Sequence, residues 1–388
     1  MTVLAPPALG GGGGGLELDA EAEDSRLTVT SQWKLMWWRF RKHRVAVASA
    51  VVLLLLYLVA AFADMFAPQD PNAINASYRL APPTSITFFD PDGEFTFWPG
   101  VNPPRLERDT TTLRLSYIPD TSIWYPIELI GRGPAYKLWG LVPMDLHFFR
   151  LGGQTTDQTF FLLGTDRLGR DVFSRVIHGA RLSLSIGLVG VALSFLLGIL
   201  FGGLSGYYGG WVDTVVQRAI EFLRSIPRIP LWMALAAAVP PKWPIEYTYF
   251  AITLILSLVG WTGLARVVRG RFLSLREEDF VLAARLCGAR ERRIIFRHML
   301  PSFTSHIIAS VTLAIPGTIL GETALSFLGL GLRQPAISWG VLLQDAQNLQ
   351  AVALAPWLML PALPLILTIM AFNFLGDGLR DAADPYAR

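Results

Sequence analysis

Runs of residues without a charged side chain dominate the pattern of this chain. Four runs have eighteen to twenty-five residues, close to or above the roughly 20 apolar residues that cross a hydrocarbon core as a helix. They are Val45 to Ala63, Leu182 to Ser205, Thr248 to Ala265 and Ala351 to Leu375, and two shorter runs are Ile229 to Pro241 and Ile307 to Gly321. The pattern predicts six spans, and therefore an all-α polytopic membrane protein.

Composition supports this class and narrows the functions. Hydrophobic residues make up 52% of the chain and charged residues only 16%, which is more apolar than ordinary globular domains. The net charge of +3 does not indicate a nucleic-acid partner. The single cysteine, Cys287, excludes an intrachain disulfide. The first run begins only at Val45 and has full spanning length, so we expect an anchor; a long cleavable leader ending near Ala60–Ala63 is the alternative.

The distribution of charge predicts the orientation of the spans. The basic and aromatic segment Trp33 to Arg44 directly precedes the first span, which indicates a cytoplasmic N-terminus by the positive-inside rule. Residues 64–165 then face outward and carry eleven acidic against seven basic residues. The stretch Arg271 to Arg297 faces inward with seven arginines against four acids. With six spans, the C-terminus also returns to the cytoplasm.

The sequence divides into segments of different composition. Residues 1–32 contain six consecutive glycines followed by an acidic run, which predicts a flexible cytoplasmic tail. Residues 33–63 form the basic lead-in and the first span. Residues 64–165 are rich in proline and aromatic residues. Because disordered segments are poor in aromatic residues, we expect an ordered extracytoplasmic subdomain of strands and loops.

No pattern of a catalytic or metal site is present in the sequence. The five histidines form no HExxH motif, no GxSxG sequence occurs, and none of the four lysines follows a glycine. A nucleotide-hydrolysing loop requires a Gly-Lys pair, so this chain cannot hydrolyse ATP by such a loop. We therefore expect no catalytic residue, no metal ligand and no cofactor on this chain.

Two acidic residues lie in or near predicted spans, where ionisable groups often mark function. Glu221 has an arginine three residues away on each side, and Glu322 follows Gly321, which with Gly317 permits close helix approach. One functional interpretation is a secondary, ion-coupled carrier or a channel that acts without an ATPase, and such a carrier would use these groups as proton relays. The other interpretation is structural: an ion pair at Glu221, and a Glu322 carboxyl satisfied by its neighbours.

A polar island rich in arginine extends from Asp279 to Pro301. We predict a short helix over about Glu277 to Cys287 with a small contact face at Ala283 and Ala284. Gly288 would supply the turn after the helix with a positive φ.

This island resembles the cytoplasmic EAA loop of ABC-importer permeases. Ala283, Ala284, Gly288, Leu300 and Pro301 match that pattern, whereas Leu282 stands where the family usually has Glu. The strings from Gly164 to Gly187 and from Ala324 to Pro385 resemble the C-type permease of dipeptide and oligopeptide ABC importers.

The resemblance implies a type I importer fold of one extra N-terminal helix and five core helices, with the permease core at 166–388. It implies a B-type permease partner, two ATPase subunits that hold ATP and Mg²⁺, an extracytoplasmic solute-binding protein, a peptide-like solute and a bacterial inner membrane. Coupling to the ATPase is expected in the coupling loop, residues 271–301, at Asp279, Leu282, Ala283, Ala284, Gly288, Arg292, Arg293, His298, Leu300 and Pro301. The outer motif of the family falls on Gly164, Thr165, Asp166, Gly169, Arg170, Asp171, Ser174, Arg175, Gly179, Ala180 and Arg181.

Overall fold

The computed structural model describes residues 32–90, 93–108, 115–152 and 160–383. The tail expected at 1–32 lies outside these residues, apart from its last position. The helices are α1 Gln32–Lys42, α2 Arg44–Ala61, α3 Ala63–Phe66, α4 Val172–Tyr208, α5 Gly210–Ser225, α6 Arg228–Ala237, α7 Ile245–Leu275, α8 Asp279–Leu286, α9 Thr304–Phe327, α10 Trp339–Gln344, α11 Leu349–Leu354 and α12 Ala362–Ala383. Short helical turns lie at Ala76–Tyr78, Glu291–Arg293, Leu300–Ser302, Asp345–Gln347 and Pro356–Met359, and Ile294–Met299 is a π-helical segment. The strands are β1 Ile86–Phe89, β2 Phe95–Val101, β3 Pro104–Arg108, β4 Leu115–Pro119, β5 Tyr125–Leu138 and β6 Val142–Leu151.

Five helices of the described residues are long and apolar enough to cross a membrane: α2, α4, α7, α9 and α12 with the turn before it. They account for five of the six predicted spans. The sixth, expected at Ile229 to Pro241, is shorter than a membrane span. It contains α6, whose ten residues extend only about 15 Å. Pro227 separates α6 from α5, because proline has no N–H to continue a helix. The sixth expected span is therefore present only as an apolar helix that is too short to cross the membrane by itself.

Glycines on one face of α4 bring it into close contact with α7. A Cβ atom added at Gly202 would lie 2.4 Å from the carbonyl oxygen of Ala265, and one at Gly206 would lie 2.7 Å from that of Arg269. Such distances leave no room for a side chain, so the backbones approach directly. The close approach expected on α9 is confirmed at Gly321, which packs on side chains of α6 and α7; Gly317 has open space instead.

The core of the bundle joins the first span to the rest. Its buried residues come from α2, α4, α9, α10 and α12 and include Leu53, Leu184, Ile319, Trp339 and Phe372. The extra N-terminal helix is thus packed into the bundle.

The region between α3 and α4 forms the expected small β subdomain. One antiparallel sheet has the strand order β1-β2-β5-β6, and β3 pairs with β4 separately. Strands β5 and β6 make a long hairpin in which Ile127 pairs with Leu151 at the base and Leu138 pairs with Val142 at the tip. Apolar side chains at the base, with Val101 and Phe160, form the buried centre of the subdomain.

The subdomain is fixed to one end of the helical bundle. His147 Nδ1 lies 3.0 Å from the carbonyl oxygen of Ala67, and the side-chain amide of Gln69 donates to the carbonyl of Phe160 at 2.6 Å. Helix α4 begins beside this subdomain and ends beside α8, so the two features lie at opposite ends of the bundle. We call these the subdomain end and the α8 end.

Candidate functional site

Helix α8, in the coupling loop, packs by one face against the ends of the long helices. Val281 is fully buried, and Ala284, one turn later, is half-buried against the same apolar cluster. The cluster contains Tyr207, Val268, Phe272, Ile294, Met299, Phe303 and Ile307. These contacts fix α8 on the bundle.

The turn after α8 has the predicted geometry. Gly288 has φ +72°, and its N–H donates to the carbonyl of Arg285 at 2.9 Å. The N–H of Ala289 reaches back to the carbonyl of Ala284 at 3.0 Å. Together the two bonds form the Schellman motif that ends a helix with glycine in the left-handed region. The predicted positive φ at Gly288 is confirmed.

The opposite face of α8 is exposed and partly apolar. Asp279, Leu282, Ala283 and Leu286 have the spacing of a single helix face, and all four are exposed; Leu286 is 89% exposed. The small contact face expected at Ala283 and Ala284 is therefore only half present. Ala284 lies three residues after Val281 and turns toward the bundle, so Ala283 alone faces outward.

The segment after α8 carries exposed positive charge. Among the described residues, no salt bridge involves Arg285, Arg290, Arg292, Arg293 or Arg297. Arg292 and Arg293 are exposed, as is Pro301, whereas His298 is half-buried. Leu300 packs on the apolar cluster beneath α8. The coupling loop thus offers guanidinium groups that no carboxylate of the described chain engages in a salt bridge.

Two polar contacts that the sequence did not suggest hold this end together. Arg269 of α7 makes a bidentate pair with Asp213 of α5, with N–O distances of 2.5 and 2.6 Å. Tyr208, the last residue of α4, donates to Glu291 at 2.7 Å. Such pairing depends on the fold, since 56 residues separate the two members of the first pair.

At the subdomain end, the outer motif begins with a tight turn around Asp166. Its carboxylate accepts the N–H groups of Leu168 and Arg170 at 2.8 and 3.0 Å. The same carboxylate binds the Arg170 guanidinium at 2.7 Å and has the Arg175 Nε at 3.7 Å. This charged group is buried, so the turn is a folded unit rather than an open binding surface.

Glycines and a threonine dock this turn on neighbouring segments. Gly164 and Gly169 have φ of +73° and +77°, and a Cβ on Gly169 would lie 1.8 Å from the carbonyl oxygen of Asn75. Thr165 accepts the N–H of Ala81 with its hydroxyl at 2.7 Å. Trp357, near the last span, donates its indole N–H to the Thr165 carbonyl at 2.9 Å.

Asp171 starts α4 as its N-cap. Its carboxylate accepts both the N–H and the hydroxyl of Ser174, at 2.8 and 2.6 Å. Burial raises the pKa of Asp171 to about 6, although the hydrogen bonds from Ser174 act in the opposite direction. Arg175, also buried, donates to the carbonyl of Pro71 at 3.0 Å.

The end of the outer motif ties α4 to the first span. Arg181 donates to the carbonyls of Ala60 and Ala61 at 2.8 and 3.1 Å and to the Asp64 carboxylate at 2.7 Å. His178 Nε2 lies 3.0 Å from the other oxygen of Asp64. Burial acts to raise the pKa of Asp64, but these hydrogen bonds outweigh it and hold the pKa below its usual value.

Gly179 and Ala180 complete the outer motif on the face of α4 that meets the core. A Cβ on Gly179 would lie 3.2 Å from Trp339 of α10, and Ala180 is buried in the same core. The outer motif therefore joins the first span, α4, α10 and the segment near Trp357. Its contacts hold these segments together.

The two membrane carboxylates have different surroundings. Glu322 is fully buried on α9, and one of its oxygens accepts the hydroxyls of Ser326 and Ser338 at 2.7 and 2.8 Å. Ser338 caps α10, so this carboxylate connects two helices. Glu221 pairs with Arg218 at 2.7 Å on an exposed face of α5, which confirms the expected ion pair.

Comparisons with known proteins agree with these features. The family described as binding-protein-dependent transport system inner membrane component matches residues 198–388, and the N-terminal TM domain of oligopeptide transport permease C matches residues 31–83. The chain is 41% identical over 227 residues to the dipeptide transport system permease protein DppC of Bacillus subtilis, covering 58% of this chain and 68% of that one.

A second relative extends over nearly the whole chain. The oligopeptide transport system permease protein OppC of the same organism is 30% identical over 369 residues, which are 95% of this chain and 94% of that one. An inward-facing structure of the MetNI methionine ABC transporter has a TM-score of 0.42 at 18% identity, covering 54% of this chain and 96% of that chain. By the family models and the two relatives, the chain belongs to the family of inner membrane components of binding-protein-dependent transport systems, and it is a multi-pass permease subunit of an ABC importer.

Proposed function

We propose that this chain forms half of the translocation path of an importer for peptides. The names of the two Bacillus subtilis relatives identify them as permeases of dipeptide and oligopeptide transport systems. The sequence of this chain is similar to both. The other half of the path is a B-type permease subunit, and an extracytoplasmic solute-binding protein delivers the peptide. ATP and Mg²⁺ bind to two ATPase subunits, and this chain has the transport role only.

The α8 end faces the cytoplasm in this proposal, together with both termini. The basic segment before the first span and the arginines around α8 support this orientation, since cytoplasmic segments carry an excess of Lys and Arg. The β subdomain then lies outside the membrane.

The observation that carries the coupling role is the exposed stripe of α8. A helix fixed to the ends of the spans by Val281, yet exposing Leu282, Ala283 and Leu286, leaves an apolar surface for a partner. A movement of the ATPase surface against this helix reaches the spans through the buried face. The exposed arginines add charge that can pair with acidic groups on the partner.

The substitution Ala283→Trp tests this role. It adds a large side chain in the middle of the stripe, on the face that does not touch the bundle. We expect normal insertion in the membrane with loss of ATPase subunits on co-purification, or loss of substrate-stimulated hydrolysis. The matched control is Ala73→Trp, an exposed position at the subdomain end, where ATPase binding and stimulation should persist.

Full coupling in Ala283→Trp would contradict the docking assignment of α8. The cargo is tested separately, by uptake of labelled dipeptides and longer peptides into vesicles that contain the complete transporter and ATP. Uptake of neither peptide class, in a transporter that still hydrolyses ATP on addition of another solute, would contradict the peptide assignment.

A further inference from the structure

The tip of the β5–β6 hairpin is an exposed apolar surface at the subdomain end. Trp139, Leu141 and Val142 lie at or beside this tip and are 56%, 80% and 47% exposed. Trp139 and Gly140 both have positive φ, at 53° and 73°. Such turn positions favour Gly, Asn or Asp, so the turn itself gives no reason for a tryptophan.

A hydrogen bond fixes the height of this tip relative to the spans. The indole N–H of Trp139 donates to the carbonyl of Ala61 at 2.8 Å, and the ring packs against Phe62 with centroids 5.7 Å apart. Ala61 is the last residue of the first membrane span. The tip therefore lies at the level where the first span ends.

A second contact places the membrane boundary at the same level. Arg181 also donates to the carbonyl of Ala61, and the uncharged run of α4 begins at the next residue, Leu182. The end of one span and the start of another thus meet at Ala61. Tryptophan and arginine are the side chains that occupy membrane interfaces, with polar atoms toward water and apolar parts toward lipid.

The exposed face of α2 continues this apolar surface downward. Leu54, Leu55 and Leu58 are exposed on the first span. Lys137, exposed beside the tip, takes part in no salt bridge among the described residues. An ammonium group above an apolar tip suits the phosphates of a lipid headgroup.

We propose that the hairpin tip, Trp139 to Val142, inserts into the interface of the outer membrane leaflet and anchors the β subdomain to the lipid. The tip is the part of the subdomain that contacts the membrane, and it binds phospholipid. This role is independent of the peptide cargo and of ATPase docking, and it determines how the subdomain is held above the mouth of the transporter.

The single native cysteine makes a direct test practical. In a Cys287→Ser background, Leu141→Cys is labelled with an environment-sensitive fluorophore, and the full chain with its co-purified subunits is placed in phosphatidylcholine–phosphatidylglycerol vesicles. Leu141 is exposed, so the substitution removes no core packing. The control is Phe97→Cys, which is 89% exposed on β2, the strand that pairs with β5 at Pro126, near the base of the hairpin.

Two quenchers report on the surroundings of each label. One is a phospholipid spin-labelled near its headgroup, and the other is iodide present on both sides of the membrane. We expect the label at position 141 to have blue-shifted emission, to lose most of it to the spin-labelled lipid and to resist iodide. The label at position 97 should behave in the opposite way.

Two results would overturn the proposal. If iodide quenches the position-141 label as strongly as the control, the tip lies in water. If neither quencher reaches it, a partner protein covers the tip instead of lipid. Peptide uptake measured in the same vesicles separates either result from a failure of the proposed transport function.

Discussion

Buried polar residues near the start of α4 form hydrogen bonds and ion pairs with one another and with backbone carbonyls. Their role is therefore structural. Asp166, Asp171 and Arg175 would suggest a site for charged ligands if they were exposed, but each is buried. Asp166 instead fixes a turn, Asp171 caps the start of α4, and Arg175 holds a distant loop through the carbonyl of Pro71. A polar motif of this kind contributes rigidity, and burial raises the pKa of its Asp171 carboxyl.

Asp171→Asn should alter how stability depends on pH. The carboxyl ionises near pH 3.9 in an unfolded chain and near 6 in the folded one. The folded state holds the proton more tightly, so this group stabilises the fold below about pH 4, and that stabilisation is lost as the pH rises through about 6. Asparagine retains an oxygen for the Ser174 N–H and has no charge to bury. The difference in Tm between variant and parent should therefore shift in favour of the variant from pH 4 to 6 and stay constant above.

Thermal unfolding of the detergent-purified chain between pH 4 and 8 measures this difference. Asp145→Asn, at an exposed position on β6, is the control that should show no such pH-dependent gain. A difference for Asp171→Asn that does not change with pH would refute the explanation.

Gly288→Val and Gly288→Asn should separate backbone strain from steric effects. No atom lies within 4 Å of a Cβ at this position, so a new side chain has space. A β-branched residue at φ +72° still costs about 1–2 kcal/mol, whereas asparagine tolerates this region better. We expect weakened ATPase recruitment with valine and near-normal recruitment with asparagine, measured by co-purification. Equal recruitment by both variants would show that the turn conformation is not needed.

At the level of elements, the helices were predictable and their contact faces were not. Uncharged runs of spanning length locate α2, α4, α7, α9 and α12, because lipid requires such runs. A single sequence does not reveal which face of a span meets a neighbour, since a span is apolar on all sides. The glycines of α4 at positions 198, 202 and 206 permit close packing of α7, and this role is visible only in the structure.

Adjacent glycines on α4 provide a matched test of this contact. Gly202→Ala would place a Cβ 2.4 Å from the backbone oxygen of Ala265, and we expect destabilisation of about 1–3 kcal/mol from overpacking. Gly203→Ala meets only ring atoms of Phe272, at 3.7 Å, which is an ordinary contact. Its stability should be unchanged or slightly higher, because alanine favours helix. Thermal unfolding of the two variants decides, and equal losses would contradict the close approach of α4 and α7.

Over the whole molecule, the features that could not be predicted from the sequence are mainly contacts between residues far apart along the chain. The outer motif was recognised as a set of residues, but its partner Asp64 lies 117 residues from Arg181. The short helix α8 and its glycine turn depend on neighbouring residues, so they could be predicted closely. The inward orientation of Ala284 depends on packing against the apolar cluster beneath α8, to which α7 contributes residues. Strand order in the β subdomain also depends on such contacts.

The turn that ends α8 also contains the only thiol of the chain. Cys287 is exposed and lies between Leu286, which is 89% exposed, and Gly288. The unmodified protein therefore carries its own reporter: a maleimide can label this one position and no other. If an ATPase subunit covers the stripe, the labelling rate of the assembled transporter falls below that of the isolated chain. Changes in that rate during a transport cycle would then record, without any substitution, when the contact opens and closes.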